Sequence, residues 1–239
     1  MDVLTDILAS LRLTGGVVID AETHGDFCLL SRFTDDDLER FQVRSGGLIA
    51  YHFVRSGRLY VSVDGEPPVL AKCGDIILLP RNDLHYLYSR PGLAPVDSHD
   101  LIQQAPDGPA RIVFGEGSEG VELYCGFLGV STEHHPLIDS LPTMLKLDGG
   151  DDLHEEWIES SMRLLNEGAN SPELVARVAE LFFAQAIRRY MERLPRGEGG
   201  WLAGLRDPTV AKALAVIHSR YAEELDVETL AREAGVSRT

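Results

Sequence analysis

The sequence predicts an α+β fold: an N-terminal β-barrel or double-sheet domain, then an α-helical region, then a partial helix-turn-helix. Three observations carry this reading. Residues 17–128 are written in short runs rich in β-branched and aromatic residues, punctuated by Gly, Asp, Asn and Pro. After Pro142 the apolar residues recur at helical spacing. The segment "LAREAGVSRT" has the outline of a first helix, a Gly-containing turn and the cap of a second helix. The expected divisions are a barrel over residues 1–140, a helical and linker region over 141–200, and the start of a helix-turn-helix unit over 201–239.

The first element is a short amphipathic helix. Val3, Leu4, Ile7, Leu8 and Leu11 form its apolar stripe, which Gly15-Gly16 is expected to end. Acids at this terminus are unlike the basic start of a signal peptide, and no apolar run has the length of a membrane span. The strands read as "VVID", "FCLLS", "LIAYHFV", "RLYVSV", "DIILLP", "LHYLYS", "RIVFG" and "VELYCGFLG". Turns fall at Ser56-Gly57 and Asp64-Gly65, in the rhythm of an antiparallel meander. Residues 91–109 are Pro-, Gly- and Asp-rich and read as a long loop.

A helix is expected over residues 151–168, opened by acids that suit its N-terminus. A clearer one comes next, with Ser171 as N-cap and Pro172 in the first turn. Leu174, Val175, Val178, Leu181, Phe182 and Ala186 supply its apolar face. Pro195, Gly197, Gly199 and Gly200 read as an interdomain linker. Beyond it Val210, Leu214, Ile217 and Tyr221 share one helical stripe. Asp226 caps the next helix, Gly235 turns the chain, and Ser237 caps the helix after the turn.

The totals exclude some functions. The 239 residues carry a net charge of −16, so a protein that grips DNA with its whole surface is ruled out. Cys28, Cys73 and Cys125 are far apart and form no CxxC pair, which argues for a reducing compartment, and a cytoplasmic location is expected. There is no G-x-S-x-G, no Ser-His-Asp signature and no phosphate-binding glycine loop.

The stretch "CGDIILLPRNDLHYLYS" is the most specific motif. Gly74, Pro80, Asn82, His85 and Ser89 stand at the spacing of the second motif of the cupin family, G-x5-P-x-G-x2-H-x3-N, which this stretch resembles. Asn82 replaces a Gly and tolerates positive φ better than most residues. Ser89 replaces the final Asn. The family's first motif, H-x-H followed by Glu, is missing from "RFQVRSGGLIAYHFVRSGRLYVSVDG", where Ala50 falls at the Glu position. That weighs against metal-dependent oxygenase or isomerase chemistry. Alternation puts Ala50, His52 and Val54 on one face, with His85 and Leu87 facing them by the motif. If the face of Val121, Leu123 and Cys125 is also interior, these residues form an effector pocket. His52, His85 and Cys125 then make a soft ligand set for zinc or another transition metal. The alternative is that both histidines are hydrogen-bonded pocket residues and Cys125 a small buried hydrophobe.

Other residues read as structural. Cys73, His24 and Cys28 suit packing or edge positions. His134-His135-Pro136 and Asp35-Asp36-Asp37 suit helix starts, and Trp157 and Phe182-Phe183 suit helix packing.

The whole chain resembles an AraC-type transcription regulator with an N-terminal cupin sensor domain. The match rests on "YHFVRSGRLYVSVDG", "KCGDIILLPRNDLH", "LYCGFLGVSTEHHPLIDSLP", "FFAQAIRRYMERLP" and "GWLAGLRDPTVAKALAVIHSRYAEELDVETLAREAGVSRT". The family commonly has a Trp near Leu225 and two helix-turn-helix units, where this chain has no such Trp and part of one unit. The resemblance implies a small-molecule or metal effector, a homodimer through the helical region and DNA as the partner of the full-length protein. Packing of the helices within one subunit is the alternative to dimerisation. Ser237 and Arg238 would start the recognition helix, so the 239 residues themselves are expected not to bind specific DNA. Two other readings stay open: a cupin metalloenzyme of dioxygenase or isomerase type, and a ligand-binding module without transcriptional output. Neither gives "LDVETLAREAGVSRT" a role as direct as the regulator does.

Overall fold

The computed structural model describes residues 7–8, 11, 13–104, 110–132, 134–149, 160, 172–194, 200–220 and 223–237. Its strands are β1 (Leu13–His24), β2 (Cys28–Ser31), β3 (Gly47–Ser56), β4 (Arg58–Val63), β5 (Val69–Lys72), β6 (Ile76–Leu79), β7 (His85–Tyr88), β8 (Val96–Asp97), β9 (Ala110–Gly115), β10 (Gly120–Val130) and β11 (Leu145–Leu147). They form two sheets, ordered β11-β6-β3-β10-β1-β9 and β5-β4-β7-β2-β8. The helices are α1 (Asp35–Arg40), α2 (Pro136–Asp139), α3 (Pro172–Arg193), α4 (Trp201–Gly204), α5 (Pro208–Ser219) and α6 (Val227–Ala234).

The β3 sequence shows why the layers form. It is buried from Ile49 to Val54, so it is covered on both faces. The period of two sorts its residues. Ala50 and Val54 point between the sheets with Val61, Ile77, Leu87, Leu123 and Phe127. Ile49, Tyr51 and Phe53 point outward into a second core with Ile76, Leu78, Phe182, Phe183 and Ile187. One sheet therefore separates a barrel interior from a helix-covered exterior. Burying each large side chain of that exterior contributes about 1.5–3 kcal/mol.

The α3 stripe keeps Phe182 and Ala186 of the expected face and leaves out Leu181. Phe182, Phe183, Ala186, Ile187 and Met191 are buried, whereas Leu181 is 53% exposed. Within the apolar run from Leu181 to Ala184, the surface the helix meets, mainly β1, selects which side is covered. At the N-terminus Ile7, Leu8 and Leu11 are buried as a helical stripe would require. Gly15-Gly16 does not end that helix, because the chain is already strand from Leu13, with an irregularity between Leu13 and Gly16. Pairing with β10 overrides the turn preference of the glycines. The expected loop over 91–109 contains the short strand β8 paired with β2, a 3-10 turn at Ser98–Leu101, and a bridge from Gln103 to Arg111.

Beyond the linker, Leu202 and Leu205 join the exterior core and Arg206 donates to the Leu194 carbonyl. Asp207 caps α5 through the backbone N–H groups of Thr209 and Val210. On α5 Val210 and Ile217 are exposed, while Leu214 packs against the exterior core. Asp226 caps α6 through the Thr229 N–H, and Gly235 ends it at φ 76°, a left-handed conformation that favours glycine. Ser237 comes two residues later, exposed. The expected helix over 151–168 with Trp157, the Ser171 cap, linker residues 195–199, Tyr221, Arg238, Val3 and Leu4 lie outside the described residues, as do the side chains of Leu174, Val175 and Val178.

Candidate functional site

The cupin-like stretch is built around a turn that needs Asn82. Its φ is 51°, as expected of a residue standing in for Gly. Asn82 does a second job that the motif did not announce. Its side-chain oxygen accepts from the Phe33 N–H at 3.1 Å and its amide donates to the Phe33 carbonyl at 2.7 Å. The turn is thereby stitched to the segment after β2. Ser89 closes the other end of β7, accepting from the Phe27 N–H at 3.1 Å.

This turn delivers His85 into the barrel at the first residue of β7, opposite Val63. His52 arrives from β3, and Cys125 is its direct cross-strand partner on β10. The three side chains meet. His52 Nε2 lies 2.7 Å from His85 Nε2, and His52 Nδ1 lies 3.0 Å from Cys125 Sγ. His85 Nδ1 lies 2.8 Å from the Asp83 carbonyl oxygen. All three residues are buried.

The carbonyl fixes the protons along this row. A carbonyl oxygen only accepts, so His85 Nδ1 carries hydrogen and donates to it. A neutral His85 then has a bare Nε2, which accepts from His52 Nε2–H. His52 Nδ1 is bare in turn and accepts from the Cys125 thiol. Every buried polar atom in the row is satisfied with all three groups neutral. The electrostatics agree. Burial holds His52 well below the ordinary histidine range, with the neighbouring His85 adding to the effect. Burial lowers His85 to about 4, against the raising effect of its bond to the Asp83 carbonyl. Burial pushes the Cys125 thiol up, helped by the Asp20 charge. Long-range proton–nitrogen NMR spectra are expected to show His52 with its proton on Nε2 and His85 with its proton on Nδ1. The opposite tautomer at either ring contradicts the row.

The other pocket residues expected from the sequence are placed in the same interior. Ala50, Val54 and Leu87 are buried at 0%, 0% and 2% exposure. They belong to the buried apolar cluster of the barrel. In the same cluster Phe33 and Phe41 pack on Phe127 with ring centroids 4.7 and 6.0 Å away. Nor do the donors converge as metal ligands do. His52 turns a different nitrogen to each neighbour, and among the described residues no group of three His, Cys, Asp or Glu side chains is poised around one ion position. The residues read as structural keep that role. His135 caps α2, Asp37 and Thr34 form the capping box of α1, and the exposed Cys73 donates its thiol proton to the Arg55 carbonyl.

A cleft of about 910 Å³ opens elsewhere, at the end of the barrel where β1, β3 and β7 finish and β2, β4 and β10 begin. None of the six expected pocket residues lines it. Phe27 and Val121 form its buried base, and Tyr60, Leu70, Arg58 and Arg90 stand around it. Gly57 makes the tight β3–β4 corner at φ 79°, where a Cβ would come within 2.5 Å of the Gly120 carbonyl oxygen. Sequence reading did not single out this cleft because its residues come from separate turns and from β4 and β5. The single glycines there, Gly25, Gly57 and Gly120, were the available signal.

A second unforeseen feature is a buried acid in the cupin-like stretch itself. Asp75 is 0% exposed. It accepts from the N–H groups of Lys72 and Gly149, each at 3.0 Å, and pairs with Lys146 at 2.9 Å. Lys146 also donates to the Leu70 carbonyl at 2.9 Å and pairs with Asp148 at 3.1 Å. Asp148 in turn pairs with Arg193 of α3 at 3.1 Å. This polar strap runs from the rim of the cleft to the last turn of the long helix.

Comparison with known proteins places the fold. Residues 2–192 match the family described as Cupin. The chain is 33% identical over 199 residues to proteins of Streptomyces lividans and Streptomyces antibioticus named putative AraC-like transcription regulators, covering 80% of this chain. It spans 64% of the length of those relatives. The HTH-type transcriptional regulator AlkR of Acinetobacter baylyi is 20% identical across 100% of this chain and 77% of its own length. A crystal structure of ToxT from Vibrio cholerae overlaps with a TM-score of 0.40 at 9% identity, covering 94% of this chain and 71% of that one. With a double-sheet barrel, a cupin turn at Asn82 and a match over residues 2–192, the chain belongs to the cupin family, in the form that AraC-like transcription regulators resemble.

Proposed function

We propose that this chain is the effector-sensing and dimerisation part of an AraC-type DNA-binding transcription regulator, and that it is not an enzyme. One observation carries the reading. A barrel of the cupin family continues through a docked helix into α6, which Asp226 caps and a left-handed Gly235 ends, as the first helix of a helix-turn-helix is built. The strap from Leu70 through Lys146 and Asp148 to Arg193 supplies what a sensor needs, a physical connection from barrel to helix. Leu181, exposed on α3, gives a second subunit an apolar residue to cover. Ala50 at the usual Glu position, in a packed interior, leaves the metalloenzyme reading without a ligand there.

The test has two parts. Multi-angle light scattering of the 239-residue chain at micromolar concentration should give twice the monomer mass of 26.3 kDa. Fluorescence anisotropy of the full-length protein on its own promoter DNA should show sequence-selective binding. A monomer would remove the dimerisation claim, and equal binding to unrelated DNA would remove the regulator claim.

The same buried row supports a second reading, in which the effector is zinc or another transition metal held by His52, His85 and Cys125. What favours it is the soft donor set already in contact. It requires the Cys125 proton to leave and the His52 ring to turn. Elemental analysis of protein purified without a His-tag, beside a Cys125→Ala variant, decides it: stoichiometric metal lost in the variant supports this reading, and no metal in either excludes it.

A further inference from the structure

We infer that the cleft at the end of the barrel binds a zwitterion of the amino-acid type, its carboxylate on Arg58, its ammonium on Glu119 and an apolar side chain against Tyr60 and Leu70. This deepens the effector-sensing reading by naming a ligand class and a place for it. The charges decide the class. The neighbouring arginines are all engaged: Arg55 with Asp20 and Glu122, Arg90 with Asp26, Arg111 with Glu22. Arg58 lines the cleft and has no hydrogen-bond or ion-pair partner for its side chain among the described residues. Glu119 lines the same cleft and its carboxylate is equally unpaired among the described residues. The two therefore face one space without pairing to each other.

Asp26 is not a competitor for the ligand ammonium. Arg90 holds it through two bonds, at 2.9 and 2.6 Å, which keep its carboxyl below the ordinary aspartate range. A simple anion would satisfy Arg58 and meet repulsion from Glu119, and a simple cation the reverse. A ligand carrying both charges satisfies both. The walls suit an apolar or aromatic side chain. Tyr60 is stacked on Tyr88 with centroids 5.6 Å apart, which stiffens it, and Leu70 is 43% exposed beside it. The volume of about 910 Å³ lies within the range of small-molecule sites.

Isothermal titration calorimetry on the 239-residue chain tests the inference without DNA, so its failure leaves the regulator reading standing. The probes are L-phenylalanine, hydrocinnamate (which lacks the ammonium) and phenethylamine (which lacks the carboxylate). L-phenylalanine should bind at least about tenfold more tightly than either analogue. Arg58→Gln should cost L-phenylalanine that factor and bind phenethylamine no less tightly than the wild type. Glu119→Gln should do the same to L-phenylalanine and bind hydrocinnamate no less tightly than the wild type. Both side chains are exposed, so neither variant endangers folding. Equal binding of the three probes, tightest binding of either analogue, or variants that keep wild-type affinity would overturn the site. So would the absence of saturable binding by L-phenylalanine, L-tryptophan and L-leucine alike.

Discussion

Asp75→Ala is expected to destabilise the protein by about 3 kcal/mol or more, measured as the change in unfolding free energy by urea denaturation. The substitution removes three bonds at once. The N–H groups of Lys72 and Gly149 lose their acceptor, and Lys146 loses the buried partner of its ammonium. Lys146 is 24% exposed and keeps Asp148, which moderates the cost of stranding its charge. Asp75→Asn keeps an acceptor of the same shape and should cost clearly less. A double-mutant cycle of Asp75→Ala with Lys146→Met should give a coupling of about 1 kcal/mol or more. Additive effects would show that the strap is a set of neighbours and not a unit.

Acid should destabilise the fold well before the carboxylates of an ordinary protein do. Free histidine side chains bind protons near pH 6.5, but His85 in the barrel does so only at about 4. Between these values the unfolded state binds the extra proton. Stability is therefore full above pH 6.5 and falls as pH drops through that window, by about 3 kcal/mol for His85 alone. His52 is depressed as well and acts in the same direction. Urea midpoints between about pH 7.5 and 4.5 should decline along that slope, and a His85→Gln variant should flatten it. A wild-type midpoint constant over this range would mean that the row accepts protons freely and is not dry.

The parts legible in the sequence were those governed by local rules. Period-two alternation placed His52 beside Ala50 and Val54, and the motif spacing placed His85 opposite them, because a strand has only two faces. Asn82 could be read as a left-handed residue because few others adopt that conformation. Asp226 announced its helix by cap chemistry. What escaped was decided by distant partners. Gly15-Gly16 reads as a stop until β10 is seen to hold it in a strand. Leu181 belongs to an apolar run whose phase only the barrel surface can select. The tautomers of His52 and His85 depend on a carbonyl, at Asp83, that no side-chain pattern reveals. The cleft gathers Arg58, Arg90 and Glu119 from separate turns, and no periodicity links them.

If the chain is a sensor, the state of its barrel must reach DNA through the helix strapped to it. Fluorescence anisotropy of the full-length protein on its own promoter DNA, with and without a protein-free small-molecule extract of the host cell, tests that coupling. The extract should change operator affinity by about fivefold or more, and Lys146→Met should reduce the change by cutting the strap. An operator affinity identical with and without the extract would contradict the coupling of barrel to DNA.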